Sequence, residues 1–299
     1  MTNPFPGPMQ PWPKLEAFAK KVHLPKSGLD LFLFDAGAVS SLPVLLLHGL
    51  GDEADTWRYV IPLLSDQYRV IAPDLPGFGR SEKQDRVYNP PFFQETLIEL
   101  MDVLRLDQVI LTGHSMGALL AHFTALECPE RVKKLVLISG SLVSRLQKID
   151  LGTLMFLVPV LGEWLYNRLR RDPQEAYRTL YAYYSNLDQM PQADRDFLYR
   201  RVNERVWDDR QRKSFLSAIR SLARWLPGQQ KELASRLSSF RVPTQAIWGK
   251  TDKINSVQNG RALLETQPDV HLIVVPGAGH NLQQEKPEIV VESIRMENL

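Results

Sequence analysis

The segment Gly113-His114-Ser115-Met116-Gly117 is the most informative part of this chain, because of what precedes and follows it. The apolar run Val109-Ile110-Leu111 leads into it, and a small-residue pattern, Ala118-Leu119-Leu120-Ala121, leads out of it. This order predicts a strand, a sharp turn with the serine at its apex, and a helix. The flanking glycines let the strand and the helix approach each other, so neighbouring side chains do not cover the serine hydroxyl. The first helical N–H groups then point into the same space, where an oxyanion can be stabilised.

Apolar runs alternate with amphipathic segments along most of the chain. The pattern predicts strands at 31–34, 44–47, 69–72, 108–111, 135–138, 244–248 and 271–275. It predicts helices near 55–64, 93–104, 116–127 and 257–265, and a last helix from about residue 287. Near-continuous apolar strands separated by helices are typical of an α/β fold, in which helices cover both faces of a mostly parallel sheet.

Residues 141–237 differ from the rest of the chain. They contain no convincing buried strand and several helix-period segments rich in Arg, Leu, Trp and Tyr. We interpret this segment as an α-helical cap inserted into an otherwise continuous α/β core. The core then comprises residues 21–140 and 238–299, and residues 1–20 form a proline-rich N-terminal arm. The middle segment is modestly basic, which we attribute to a solvated helical face.

The composition excludes several classes of protein. A chain of 299 residues, 44% hydrophobic and 23% charged, suits one large α/β domain with an insertion. A net charge of +2 gives no reason to expect a nucleic-acid partner, and the single cysteine, Cys128, excludes an intramolecular disulfide or a multi-cysteine metal site. The longest apolar stretch, 151–161, is too short to span a bilayer, and the first residues lack the apolar core of a signal peptide. We expect a cytoplasmic monomer or homodimer without stable membrane insertion.

A serine hydroxyl needs a base within hydrogen-bond reach, and the base needs a partner that holds its tautomer. Among six histidines, His280 has the best position, because it lies in a glycine-rich loop directly after the predicted strand 271–275. Loops at the carboxyl ends of parallel strands carry the sites of open α/β sheets. We interpret His114 as supporting the turn and His122 as packed within the helix.

Asp252 has the same kind of position as His280, just beyond the predicted strand 244–248. Asp74 also follows a strand, but it precedes the serine, and its loop looks built to stabilise a turn. We favour Asp252 over Asp74 as the acid that orients His280. The order Ser115, Asp252, His280 is that of serine hydrolases built on an α/β sheet.

The segment His48-Gly49-Leu50-Gly51 follows the apolar strand 44–47. Glycines there let the backbone approach a reacting carbonyl and present an N–H group. We expect the backbone N–H groups of Leu50 and Met116 to form the oxyanion hole, and His48 to hold the loop.

These motifs together resemble the α/β-hydrolase superfamily, in particular its serine-nucleophile members with a helical cap, such as esterases and lipases. The matching segments are 48–49, 74–81, 113–117, 249–252 and 277–280, spread over nearly the whole chain. Epoxide hydrolases and haloalkane dehalogenases of this fold use aspartate where this chain has Ser115. Proline iminopeptidases carry a longer glycine-proline motif that is absent at 48–51. One departure is the segment 253–256, where relatives commonly have two apolar residues and a proline.

The resemblance implies a serine hydrolase that cleaves carboxylic esters through an acyl-enzyme intermediate, without metal or organic cofactor. The apolar segment 151–161 is expected to cover the serine, and Gly49, Leu154, Phe156 and Leu157 to contact the substrate. We therefore expect small-molecule esters with apolar acyl groups of short to medium length. Two alternatives remain open: a carbon–carbon bond hydrolase acting on diketone-type substrates, and a ligand-sensing receptor with the same residues.

Overall fold

A computed structural model describes residues 2–143 and 151–295 of the chain. Within these residues, strands form one sheet in the order β1-β2-β4-β3-β5-β6-β7-β8. β2 runs antiparallel to both of its neighbours, and the six strands beyond it run parallel to one another. The strands are β1 (Ala19–Leu24), β2 (Leu29–Ala36), β3 (Pro43–Leu47), β4 (Arg69–Pro73), β5 (Val109–His114), β6 (Val132–Ile138), β7 (Thr244–Gly249) and β8 (His271–Val275). The predicted mostly parallel α/β sheet is confirmed.

Helices cover both faces of this sheet, and further helices follow between β6 and β7. They are α1 (Val60–Leu64), α2 (Pro90–Val103), α3 (Met116–Glu127), α4 (Leu151–Leu157), α5 (Leu161–Arg168), α6 (Pro173–Arg178), α7 (Gln192–Trp207), α8 (Asp209–Ser238), α9 (Val257–Thr266), α10 (Leu282–Glu285) and α11 (Pro287–Ile294). Helices α1, α10 and α11 pack on one face, and α2, α3 and α9 pack on the other. Between residues 151 and 238 the structure contains helices and no strand.

The strands are apolar at successive positions because both faces of the sheet are buried. Side chains alternate between the faces along a strand. In β3, Leu45 and Leu47 join the apolar cluster beneath α2 and α3, whereas Val44 and Leu46 join the cluster beneath α1 and α11. A single-sided sheet would show polar residues at every second position, so the apolar runs in the sequence reflect helices on both sides.

The topology places several loops at one end of the sheet. β3 lies between β4 and β5, so the chain leaves β3 in one direction and later returns to its other side. Such a reversal opens a crevice at the carboxyl ends of the strands. The loops that follow β3, β5, β7 and β8 all begin at this end, and they carry residues 48–51, 115, 252 and 280.

The N-terminal residues differ from the predicted arm at 1–20. A 3-10 turn at Pro13–Phe18 buries Leu15 completely, and β1 begins at Ala19 and pairs with β2. Lys20 and Lys21 interrupt the apolar pattern of β1, as charged residues often do in an edge strand. The sequence pattern therefore did not predict this strand. The predicted helix near 55–64 is also divided, into a 3-10 turn at Ala54–Trp57 and α1. The division into core and cap stays a prediction.

The described residues leave out residue 1 of the predicted arm, residues 144–150 of the predicted cap and residues 296–299 of the predicted core. In the part of the chain that the structure describes, no helix has the length and apolar character needed to cross a bilayer.

Candidate active site

Ser115 stands on a strained turn between β5 and α3. Its backbone has φ 55° and ψ −118°, a conformation that non-glycine residues rarely adopt outside functional sites. A Cβ on Gly113 would lie 2.1 Å from the carbonyl oxygen of Gly117, and one on Gly117 would lie 2.3 Å from that of Leu47. The two flanking glycines are therefore required by the close approach of β3, β5 and α3. Ser115 itself borders a cavity.

His280 and Asp252 form a buried pair at the ends of β8 and β7. His280 Nδ1 lies 2.8 Å from Asp252 Oδ2, and the two side chains are almost fully buried. Asp252 Oδ1 accepts hydrogen bonds from the N–H groups of Ile254 and Asn255. Burial alone would raise the pKa of Asp252, but His280 and these two N–H groups hold it below its ordinary value. An ionised Asp252 keeps the proton on Nδ1 of a neutral His280, which leaves the lone pair on Nε2.

His280 and Ser115 line the same cavity. His280 Nε2 is buried and has no hydrogen-bond partner among the described residues. Hydrogen bonds between a nucleophile and its base often tighten only when a substrate is bound. The structure thus brings the predicted nucleophile, base and acid to one end of the sheet, with the basic nitrogen available.

The loop that carries His280 is held from two sides. The N–H groups of His280 and Asn281 donate to the carbonyl of Tyr183, at 2.8 and 3.0 Å. His114 Nε2 lies 3.0 Å from the carbonyl oxygen of His280. Burial, together with the neighbouring His280, lowers the pKa of His114 to about 3, so its ring stays neutral. His114 thus ties the loop of the base to the turn of the nucleophile.

The segment 253–256, where this chain departs from its relatives' pattern, has its own stabilising contacts. Asn255 Nδ2 donates to the carbonyl of Ser139 at 2.9 Å, and Trp248 Nε1 donates to the carbonyl of Asn255 at 2.7 Å. These bonds join the loop to the ends of β6 and β7.

The loop after β3 passes next to the serine. A Cβ on Gly49 would lie 3.2 Å from Cβ of Ser115, so only a glycine lets this backbone come so close without a shift. Leu50 lines the cavity. Met116 is the first residue of α3, so its N–H has no acceptor within the helix. Both predicted oxyanion donors therefore lie beside the nucleophile.

His48 and Asp74 stabilise the surrounding loops. His48 Nδ1 lies 2.8 Å from the carbonyl of Gly49, and its Nε2 accepts from the N–H of Leu75. Asp74 accepts from the N–H of Ala54 and from the backbone and guanidinium of Arg80. Asp74, the alternative candidate for the orienting acid, is thus occupied by Arg80 at the end of β4.

The cavity has a volume of about 220 Å³ and lies between the sheet and the helices of the cap segment. Its floor contains Gly49, Leu50, Ser115 and His280. Its apolar wall comes from the cap segment and comprises Phe156, Tyr166, Leu169, Leu180, Leu198, Val202, Val206 and Phe215. The cap segment also contributes the polar side chains Thr179, Tyr183, Tyr184 and Arg205, so the lining is mixed.

The predicted substrate contacts divide into two groups. Gly49 and Phe156 line the cavity, whereas Leu154 and Leu157 do not. On a helix, positions two apart point about 200° away from each other. Phe156 packs edge-on against Phe215 beneath α4, so Leu154 points outward and is 42% exposed. Most of the wall comes from α5, α7 and α8, which carry no motif, and sequence reasoning therefore missed it.

One end of the cavity carries charge. Arg205, on α7, donates through Nε and Nη2 to the two carboxylate oxygens of Glu53, and through Nη2 to Asp52. Burial would lower the pKa of Arg205, but Glu53 and Asp52 raise it above its ordinary value. Asp52 also lines the cavity. The guanidinium is therefore already neutralised by two carboxylates. No local sequence signal could have linked positions 52 and 205.

In the part of the chain that the structure describes, no cluster of three or more His, Cys, Asp or Glu is arranged to hold a metal ion.

Comparison with known proteins agrees with this architecture. A family model for the α/β hydrolase fold matches residues 43–287. The 2-hydroxy-6-oxononadienedioate/2-hydroxy-6-oxononatrienedioate hydrolase of Comamonas testosteroni is 30% identical over 291 residues, covering 89% of this chain and 91% of that protein. Cfl2 from Burkholderia cenocepacia has a similar crystal structure, with a TM-score of 0.81 and 24% identity over 97% of this chain and 99% of that one. A membrane phospholipase A matches with a TM-score of 0.70 and 23% identity, over 92% and 83% of the two chains. Because the family model spans most of the sequence, this protein belongs to the α/β-hydrolase family.

Proposed function

We propose that this protein is a serine hydrolase that cleaves carboxylic esters with apolar acyl groups of short to medium length. The observation that carries the proposal is the buried His280–Asp252 pair: His280 Nε2 has no hydrogen-bond partner among the described residues, and His280 lines the same cavity as Ser115. In this proposal Ser115 is the nucleophile, His280 the base and Asp252 the orienting acid.

The reaction follows from these roles. Ser115 attacks the ester carbonyl while His280 Nε2 takes the hydroxyl proton, and the N–H groups of Leu50 and Met116 stabilise the oxyanion. The protonated His280 then gives its proton to the leaving alcohol, which departs and leaves an acyl-enzyme. Water, activated by the same Nε2, attacks the acyl carbonyl and releases the acid, and Ser115 recovers its proton. Asp252 stabilises the imidazolium at each stage.

The apolar wall supports the substrate class. An acyl chain that enters the cavity can contact Phe156, Leu180, Val202 and Phe215, while polar side chains such as Thr179 and Tyr183 lie elsewhere in the lining. Burial of each methylene contributes about 0.8 kcal/mol, or roughly a fourfold gain in binding. A cavity of about 220 Å³ limits how many methylenes gain this energy.

Carbon–carbon bond hydrolysis is the alternative that the relatives suggest. The name of the Comamonas testosteroni protein specifies a dicarboxylate substrate. An anionic substrate of this kind needs a free cation in the cavity. Among the described residues, Arg205 is the only guanidinium that lines the cavity, and Glu53 and Asp52 already neutralise it. Asp52 would also repel a substrate carboxylate, so this feature favours uncharged esters.

The experiment is a series of nitrophenyl esters from acetate to dodecanoate, with a dienedioate as the carbon–carbon substrate and Ser115→Ala as the control. We expect kcat/KM to rise about fourfold per methylene up to about hexanoate and then to fall. Ser115→Ala should lower kcat by about 10⁶-fold, and the dienedioate should not be cleaved. Turnover of the dienedioate above that of the esters would favour the alternative. A single burst without steady turnover would favour a ligand-sensing receptor.

The cytoplasmic location and the monomeric or homodimeric state stay predictions from the sequence.

A further inference from the structure

The outer side of the α4–α5 hairpin exposes large apolar side chains. Leu154, Val158, Val160 and Trp164 are between 42% and 80% exposed, with Val160 the most exposed of the four. Singly exposed apolar residues are common, but a contiguous group marks an interaction surface. These four residues lie within eleven positions of one another, on two consecutive helices and the turn between them.

The turn of this hairpin is rigidly held. Arg220, on α8, donates to the carbonyls of Phe156 and Val158 and forms two hydrogen bonds with Glu163. Val160 has φ 69° and ψ −46°, a strained backbone conformation that a β-branched residue adopts only when its surroundings impose it. Arg220 thus anchors two carbonyls before the turn and the side chain of Glu163 after it.

A basic groove continues from the apolar residues. Trp164, Arg168 and Arg171 border a depression of about 270 Å³ together with Trp207. Positions 164, 168 and 171 follow helical spacing on α5 and the turn after it, so these side chains share one face. Arg168 and Arg171 are exposed and form no ion pair with any described residue. Arg170 differs, because it is paired with Asp209 and lies over the ring of Trp207.

We propose that this outer cap face, defined by Val158, Val160, Trp164, Arg168 and Arg171, docks reversibly on an anionic lipid bilayer. Guanidinium groups attract anionic headgroups, tryptophan favours the interfacial region, and the two valines enter the boundary between headgroups and acyl chains. The positive charges of Arg168 and Arg171 favour an anionic bilayer over an apolar protein surface as the partner.

The same helices connect the docking face to the cavity. Phe156, Tyr166 and Leu169 lie on α4, on α5 and just after α5, and they line the cavity with their inner side. An apolar ester dissolved in a bilayer would therefore be held next to the wall that receives its acyl group. This part of the inference rests on the proposed function, whereas the docking itself does not.

The experiment is flotation of the full chain with vesicles of phosphatidylcholine alone or of phosphatidylcholine with phosphatidylserine. We expect binding only to the vesicles that contain phosphatidylserine, and a loss of binding in high salt. The double variants Val160→Asp/Trp164→Ala and Arg168→Glu/Arg171→Glu should each bind at least tenfold more weakly.

Matched controls lie elsewhere on the surface. Val39→Asp and Arg261→Glu change an exposed valine and an exposed arginine outside the cap face, and both should bind like the unaltered protein. All variants should retain hydrolysis of a soluble nitrophenyl ester. Vesicle binding and ester hydrolysis are separate measurements, so a failure of the docking proposal can be told apart from a failure of the proposed function. Absence of binding to phosphatidylserine vesicles, or equal losses in the controls, would overturn the proposal. A mass in solution that halves in the Val160→Asp/Trp164→Ala variant would also overturn it, by assigning the face to a second copy of the chain.

Discussion

At the scale of single residues, the position of one proton governs the proposed chemistry. Asp252 accepts from His280 Nδ1 and from two backbone N–H groups, so it is ionised and fixed in place. The imidazole therefore presents Nε2 as an acceptor. His280 Nε2 would no longer be an acceptor if the carboxylate at position 252 were replaced by a group that donates a hydrogen bond to Nδ1.

The variant Asp252→Asn tests this point. Its amide can donate to Nδ1 and hold the imidazole in the wrong tautomer, with the proton on Nε2. We expect kcat for nitrophenyl butyrate to fall by about 10⁴-fold while the melting temperature stays close to that of the unaltered protein. Asp74→Asn serves as the comparison, and it should act mainly on stability. A larger loss of kcat in Asp74→Asn would reverse the assignment of the acid.

His122 is a second residue whose protonation matters, here for stability. Its ring is fully buried on α3, and Nδ1 accepts from the N–H of Leu142. Burial lowers the pKa of His122 from 6.5 to about 3, so the unfolded chain binds a proton between these values and the folded chain does not. The stability associated with this residue is therefore present above pH 6.5 and lost as the pH falls toward 3.

We expect His122→Asn to change this pH dependence. Asparagine retains an acceptor but does not titrate. Between pH 8 and pH 5, the free energy of unfolding should therefore fall by about 2 kcal/mol less in the variant than in the unaltered protein. The measurement is urea unfolding at several pH values. Parallel curves for the two proteins would show that His122 does not titrate on unfolding.

At the scale of elements, the turn between β5 and α3 depends on close backbone contacts rather than on side chains. β3, β6 and α3 all approach Ser115, and the approach of β6 occurs through Gly140, just beyond its end. A Cβ on Gly140 would lie 2.3 Å from the carbonyl oxygen of Ser115. The backbone of the nucleophile cannot accommodate this atom without moving.

The variant Gly140→Ala should therefore displace Ser115. We expect a loss of about 1–3 kcal/mol in the free energy of unfolding and a larger proportional loss of kcat/KM. Gly228→Ala is the control, because nothing lies within 4 Å of its Cβ and it sits inside α8. That substitution should stabilise the protein by about 0.5–1 kcal/mol with unchanged activity. If Gly140→Ala kept full activity, the close contact would have no role in placing the serine.

At the scale of the whole molecule, buried ion pairs join the cap segment to the core. Arg205 and Arg201 on α7 contact Glu53, whose side chain is only 1% exposed. Arg58 of the core pairs with Asp194 at the start of α7, and this pair is also buried. Buried pairs of this kind add little net stability, but the removal of one partner leaves an uncompensated charge. They therefore fix the position of α7 against the segment that contains Glu53 and Arg58.

The variant Arg205→Met tests this joint. It leaves Glu53 and Asp52 with one cation fewer, and we expect it to lower the free energy of unfolding by about 3–5 kcal/mol. Arg200→Met on the same helix is the control, because its side chain is 58% exposed and pairs with Glu204. Its effect should stay below about 1 kcal/mol. Equal small effects in urea unfolding would contradict a structural role for Arg205.

The features that could be predicted from the sequence are those that depend on neighbouring residues. The glycine spacing around Ser115 and the strand-then-loop positions of Asp252 and His280 are local, so the fold and the candidate residues could be inferred. β1 was missed because an edge strand with two lysines lacks an apolar run. Leu154 was placed at the substrate because composition alone does not tell which side of α4 faces inward.

Other features arise only when distant segments meet. The cavity wall, the neutralisation of Arg205 by Asp52 and Glu53, and the outward face of the α4–α5 hairpin depend on how α7 and α8 pack over the sheet. Residues 52 and 205 are brought together across 153 positions, and no periodicity or motif encodes such a pairing. Local backbone constraints thus identify the fold and the candidate residues, whereas long-range packing and charge pairing shape the cavity beside them.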